Sequence, residues 1–170
     1  MGERGMKLHE YGIFQEKSDI RAHVSDKVVF IFKTEKAVQA LNDNKCPQVF
    51  AYQTGYDKPT AKGYLLKPEL IKDVRVLYFD DNLGWQQYYD DMSTTQKGKW
   101  AVNCVIDLLK TARFPLWIDA KENIDVKMDI EGTDILIFSN KRIQVKCDYP
   151  AHRTGNLYMQ THEINPFKNH

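Results

Sequence analysis

Three side chains are spaced so that they could do chemistry together. Asp134 stands just ahead of the apolar run Ile135-Leu136-Ile137-Phe138, and Gln144 and Lys146 lie within Ile143-Gln144-Val145-Lys146-Cys147-Asp148. Ser139-Asn140-Lys141-Arg142 lies between the two runs, and two β-rich runs joined by a short polar segment read as a hairpin. A carboxylate and a lysine on one sheet face can hold a divalent metal and a phosphate oxygen together. That combination is the toolkit of metal-assisted phosphodiester hydrolysis.

Strand geometry sets a condition on this constellation. Alternate residues of a strand share a face, so Gln144, Lys146 and Asp148 lie on one side and Ile143, Val145 and Cys147 on the other. Asp134 shares its side with Leu136 and Phe138. It joins Gln144 and Lys146 only across a connection with an odd number of residues, most simply Ser139-Asn140-Lys141 with Asp134 opposite Lys146. A two-residue connection would set Asp134 against Cys147, because a slip of one residue exchanges the faces. The odd connection also unites Ile135, Ile137, Ile143, Val145 and Cys147 in one apolar face.

Other elements must position this hairpin. Residues 27–33 read as a buried strand, and residues 34–42 as a short helix with Thr34 as its cap. Residues 47–52 and 74–79 read as further strands, separated by a Gly/Pro/Asp-rich loop over residues 54–62 and a helical turn over 68–72. From Ser93 the pattern changes to a helix reaching about residue 113. Ala101, Cys104, Val105, Leu108 and Ala112 form its packing stripe, and Pro115 lies just beyond its end. Strands follow near residues 124–128, in the hairpin, and over 156–161, the last of them at a sheet edge. This order describes an α+β (α/β) fold with a mixed β-sheet flanked by helices.

Composition bounds the alternatives. The chain has 170 residues, 42% hydrophobic and 28% charged, with a net charge of +1. These values describe a globular protein with no general electrostatic signature of nucleic-acid binding. Cys46, Cys104 and Cys147 are odd in number and far apart, so neither a zinc site nor a disulfide framework is expected. Cys104 and Cys147 sit among apolar residues as small hydrophobes. No membrane-spanning run or leader is legible, and a cytoplasmic, reducing setting is the expectation. Trp85-Gln86-Gln87-Tyr88-Tyr89 reads more readily as core and helix surface than as a base-stacking cluster. The histidines show no zinc-ligand spacing.

The series Thr95-x-Lys97-Gly98, a helix, Gly132-Thr133-Asp134-Ile135 and then Ile143-Gln144-Val145-Lys146 resembles the PD-(D/E)XK nuclease superfamily. It is closest to the Gln-x-Lys branch, which includes some homing and restriction endonucleases. Thr154-Gly155-Asn156-Leu157 is similar to a segment that follows the motif in some of these enzymes. The resemblance covers roughly residues 93–164. It implies a restriction-endonuclease-like core over 93–170, with 1–92 as an N-terminal α/β elaboration, separate or part of the same domain.

The resemblance also implies roles. Asp134, Gln144 and Lys146 would be catalytic, and Asp134, Gln144 and the Val145 carbonyl would hold Mg²⁺ (or Mn²⁺). Lys146 would orient the attacking water, while Lys97, Lys99 and Arg142 would meet nucleic acid. The activity expected is metal-dependent hydrolysis of DNA, double-stranded by preference, by a homodimer, since cutting both strands uses two sites. One position departs from the family: the helix residue that is commonly glutamate is Val102. Glu131, Asp148, Glu163 and Asn103 are the remaining oxygen donors considered. With Val102 and the neutral Gln144, the alternative is a catalytically degenerate nuclease-fold protein that binds nucleic acid or a protein partner.

Overall fold

The computed structural model of the chain describes residues 18–52, 55–78, 89–111, 121–122, 134–137 and 141–164. The strands are β1 (Ile20–Val24), β2 (Val28–Lys33), β3 (Gln48–Ala51), β4 (Ala61–Leu66), β5 (Arg75–Tyr78), β6 (Lys121–Glu122), β7 (Ile135–Ile137), β8 (Lys141–Cys147) and β9 (Leu157–Glu163). The helices are α1 (Thr34–Asp43), α2 (Thr94–Thr111) and α3 (Ala151–Thr154). They build an α+β fold with a six-stranded mixed sheet, ordered β5-β2-β1-β8-β7-β6, and a three-stranded sheet, ordered β3-β4-β9. Strands from both sides of residue 92 therefore share one sheet.

The centre of the large sheet follows from two apolar strands. β2, Val-Val-Phe-Ile-Phe-Lys, is buried at its first five positions, as expected of a strand covered on both faces. β1 pairs antiparallel with β2 and parallel with β8, so an N-terminal strand lies directly beside the Gln-x-Lys strand. This strand and β4 were not expected from the sequence. The last strand was expected to join the mixed sheet, but β9 pairs with β4 in the second sheet. It does lie at an edge, as expected. The strand expected over 124–128 lies outside the described residues.

Each face of the large sheet has its own core. On one side Ala22, Val24, Val29, Ile31, Ile135 and Ile143 pack with Ala101, Val102, Val105 and Leu109 of α2. On the other, Val28, Phe30 and Phe32 pack with α1 and with Leu66, Leu157 and Met159 of the small sheet. Each of the Val, Leu, Ile, Phe and Met side chains among them contributes roughly 1.5–3 kcal/mol when fully buried. Gly63 permits the close approach of β4 and β9, since a Cβ there would run into the Met159 carbonyl.

Helix starts follow the local chemistry. Ser93 and Gln96 form a capping box, in which Gln96 N–H donates to Ser93 Oγ at 3.2 Å and Ser93 N–H to Gln96 Oε1 at 2.8 Å. Thr34 does not cap α1: the cap position is Lys33, without a side-chain bond. The Thr34 hydroxyl instead meets Ser18 Oγ at 3.5 Å. Cys104 is buried, and Cys147 packs partly buried against the α2-side core. Among the described residues, no helix is long and apolar enough to cross a membrane.

Candidate functional site

The β7–β8 register pairs Ile135 with Ile143 and Ile137 with Lys141. The interval between β7 and β8 is residues 138–140, an odd number as the face argument requires. It lies one residue earlier than Ser139-Asn140-Lys141, so Asp134 comes level with Gln144 and not with Lys146. Asp134, Gln144 and Lys146 nevertheless share a face, while Ile135 and Ile143 enter the α2-side core.

Asp134 lies at the start of β7 and continues its ladder in an altered form. Its N–H donates to the Ile143 carbonyl at 2.9 Å, and its Oδ2 accepts the Val145 N–H at 2.7 Å. The carboxylate thus stands where a strand carbonyl would otherwise sit. In an antiparallel ladder a residue's N–H and C=O point to the same neighbour. The Val145 carbonyl is therefore also directed toward the β7 side, next to Asp134.

β1 completes the face with residues the hairpin motif did not include. Arg21 is level with Gln144 and His23 with Lys146, and both are buried, at 1% and 0% exposure. Arg21 Nε–H donates to His23 Nε2 at 3.4 Å. His23 Nδ1 meets Asp148 Oδ2 at 3.0 Å, and the same oxygen accepts the Tyr158 N–H at 2.8 Å. With Nε2 accepting, Nδ1 carries the proton and donates to the carboxylate. Burial lowers the His23 pKa below its ordinary 6.5, opposed by the Asp148 hydrogen bond and reinforced by the charges of Arg21 and Lys146. His23 is therefore the neutral link between a buried cation and a buried anion.

Gln144 differs from these neighbours. Arg21 stands beside it and Lys146 lies two residues along the same face, yet Gln144 Oε1 is buried and takes no hydrogen bond among the described residues. Burying a polar oxygen without a partner is unfavourable by about 1–3 kcal/mol. Asp134, Gln144 and Lys146 are each half-buried.

The other expected residues are distributed differently. Val102 is buried in the core between α2 and the apolar face of β8, across the sheet from Gln144. Asn103, exposed on α2, lies across the sheet too. Asp148 is engaged by His23 and Tyr158, and Glu131 lies outside the described residues. Lys97 places its ammonium 4.0 Å from the centre of the Tyr89 ring, which stacks on Tyr149 at 3.9 Å. Burial raises the Tyr89 pKa to about 12, with Cys147 contributing. Lys99 is exposed on α2. The structure therefore does not bring Lys97 and Lys99 to the face of Asp134. Arg142 is half-buried on that face, and its N–H donates to Asp19 Oδ2 at 3.0 Å.

Arg21 and His23 had a legible signal. Ile20-Arg21-Ala22-His23-Val24 alternates apolar and polar residues, as a half-buried strand does. What it lacked was any local hint that the polar side would be buried beside β8. Among the described residues, no three His, Cys, Asp or Glu side chains converge as a metal cage. Among the described residues, the oxygen donors expected from the motif fall at neighbouring register positions: the Asp134 carboxylate, Gln144 Oε1 and the Val145 carbonyl. No protein-family model, curated protein or solved structure matches the chain.

Proposed function

We propose that this chain is a metal-dependent endonuclease that hydrolyses DNA phosphodiester bonds at the face formed by Asp134, Gln144 and Lys146. The observation that carries the reading is Gln144 Oε1, a buried acceptor on a residue level with Arg21 and two positions from Lys146, which takes a hydrogen bond from neither. An oxygen left in that state suits a cation. Asp134 stands level with it, and the Val145 carbonyl faces the same edge. An oxygen-only set with a single charge suits Mg²⁺, or Mn²⁺ in its place, because Mg²⁺ retains several of its waters.

When bound there, the ion supplies polarisation of a phosphate oxygen and a lowered pKa for a bound water. The chain's own groups do the rest. The Val145 N–H fixes the Asp134 carboxylate in place. Lys146 orients the attacking water and balances charge on the phosphate as the bond to the leaving oxygen breaks. A double-strand cut uses two such faces, so the working form in this reading is a symmetric dimer on double-stranded DNA.

A second reading, a catalytically degenerate nuclease fold that binds nucleic acid or a protein partner, is favoured by one observation. Val102 is buried on the far side of the sheet, so the helix offers no acid from that position. A plasmid-nicking assay with Mg²⁺ and Mn²⁺ separates the two. Hydrolysis predicts nicking by wild type and none by Lys146→Ala. DNA binding without nicking, unchanged by chelator, selects the degenerate form. A folded wild type that nicks no DNA with either metal defeats the catalytic reading.

A further inference from the structure

The buried polar chain on β1 and β8 lies where apolar residues would pack more simply. One strand away on the same face, β2 presents Val28, Phe30 and Phe32 to the core. On the other face of β1 itself stand Ala22 and Val24. A buried ionic chain is commonly no more stabilising than hydrophobic residues of similar volume. The placement of Arg21, His23 and Asp148 therefore calls for another reason, and their register supplies one.

His23 is the direct neighbour of Lys146 across the parallel β1–β8 pair. Its ring is held at both nitrogens, by Arg21 Nε–H on one side and Asp148 Oδ2 on the other. The chain runs from beside Gln144 to beyond Lys146, and so borders the lysine on its β1 side and its C-terminal side. Asp148, the acid two residues along the same face, already accepts from His23 and from Tyr158 N–H through a single oxygen. Arg21 places a positive charge behind the His23 ring. Among the described residues, the acids on the face of Lys146 are Asp148, with Oδ2 already engaged, and Asp134, on the side away from Arg21.

Resting on the hydrolytic reading above, we propose that Arg21, His23 and Asp148 are positioning residues that aim the Lys146 ammonium at Asp134. His23 is the central member, because it alone contacts both of the others. Its polarity is directional: it donates toward Asp148 and accepts from Arg21. Glutamine can reproduce that pattern, with its amide N–H toward Asp148 and its carbonyl toward Arg21, whereas leucine fills the space without either bond.

The test uses the full chain with His23→Gln and His23→Leu, each confirmed folded by far-UV circular dichroism. The first readout is the pair of Lys146 Hε resonances, assigned by their absence from Lys146→Ala. A held lysine shows two distinct shifts, and a freely rotating one shows a single shift. Distinct shifts in wild type and His23→Gln, merging in His23→Leu, are the expected result. The second readout is kcat for plasmid nicking, expected to fall about 10–100-fold in His23→Leu at similar KM, as for other residues that orient reacting groups. His23→Gln should restore kcat to within a few-fold of wild type. Should His23→Leu not fold, Asp148→Ala, which removes the acceptor of both bonds, takes its place with the same expectation. Merged shifts in wild type, or distinct shifts that survive in the folded Leu or Ala variant, overturn the positioning role. An ordered Lys146 in a wild type that nicks nothing would leave the positioning intact and remove the hydrolytic reading instead.

Discussion

The two faces of the β1–β8 pair are built from alternate residues of the same strands, yet they follow different rules. Toward α2 stand Ala22, Val24, Ile143, Val145 and Cys147, packed against Ala101, Val105 and Leu109. On the other side stand Arg21, His23, Gln144 and Lys146, with Asp134 at the neighbouring strand end and Asp148 just past β8. The first face is held by shape and apolar area. The second is held by directed hydrogen bonds among Arg21, His23 and Asp148, groups that are unfavourable to bury unless they satisfy one another. One period-2 alternation thus divides the work: the α2 face secures the sheet, and in the hydrolytic reading the polar face carries the chemistry.

That division can be tested, beginning with the largest effect. Ile143→Ala removes a side chain that is 1% exposed in the α2-side core. It should lower stability by about 2–5 kcal/mol in urea denaturation. A loss below about 1 kcal/mol would mean that the apolar face is not what secures the sheet. Asp148→Ala acts on the other face by leaving His23 Nδ1–H and Tyr158 N–H without their acceptor. With about 1–3 kcal/mol for each unsatisfied donor, the expected loss is about 2–4 kcal/mol in the same measurement. A near-neutral result would show that the polar chain is dispensable to the fold.

The third effect is a pH dependence confined to the polar face. The folded pKa of His23 lies below its ordinary 6.5 because of burial. Below pH 6.5 the unfolded chain takes up a proton that the folded chain resists, so stability rises with pH in that window. The contribution is fully present above pH 6.5 and is lost as pH falls toward the depressed folded value. Its slope is at most about 1.4 kcal/mol per pH unit for one group. Unfolding free energy measured from pH 7.5 to 5 should show this slope in wild type and lose it in His23→Gln. The smallest effect lies near the start of α2. Lys97→Ala should lose about 0.5–1 kcal/mol with its contact to Tyr89, and Lys99→Ala should stay within about 0.5 kcal/mol of wild type.

How far the sequence revealed this arrangement depended on the range of each interaction. The shared face of Asp134, Gln144 and Lys146 was legible because side-chain alternation is local and strict. The register differs by two residues from the simplest expectation, and in it Asp134 accepts the Val145 N–H, a side-chain contact in place of a ladder carbonyl that leaves no sequence pattern. The α2 stripe was legible at Ala101, Cys104 and Val105, where helical spacing alone decides burial. The start of α2 at Ser93 was legible, whereas Thr34 was assigned a cap role although it lies inside α1, with Lys33 at the cap position. Arg21 and His23 were missed because their polar pattern reads as a solvated face. Only a strand more than a hundred residues away turns that face into an interior.

The most direct test of the division is plasmid nicking with Mg²⁺ by wild type and by Asp134→Asn. The asparagine oxygen can still accept the Val145 N–H, so the hairpin keeps its register, while the negative charge at the face is removed. The account predicts that wild type nicks the plasmid and that Asp134→Asn, equally stable in urea, does not. Nicking by Asp134→Asn at the wild-type rate, or none by folded wild type, would contradict it.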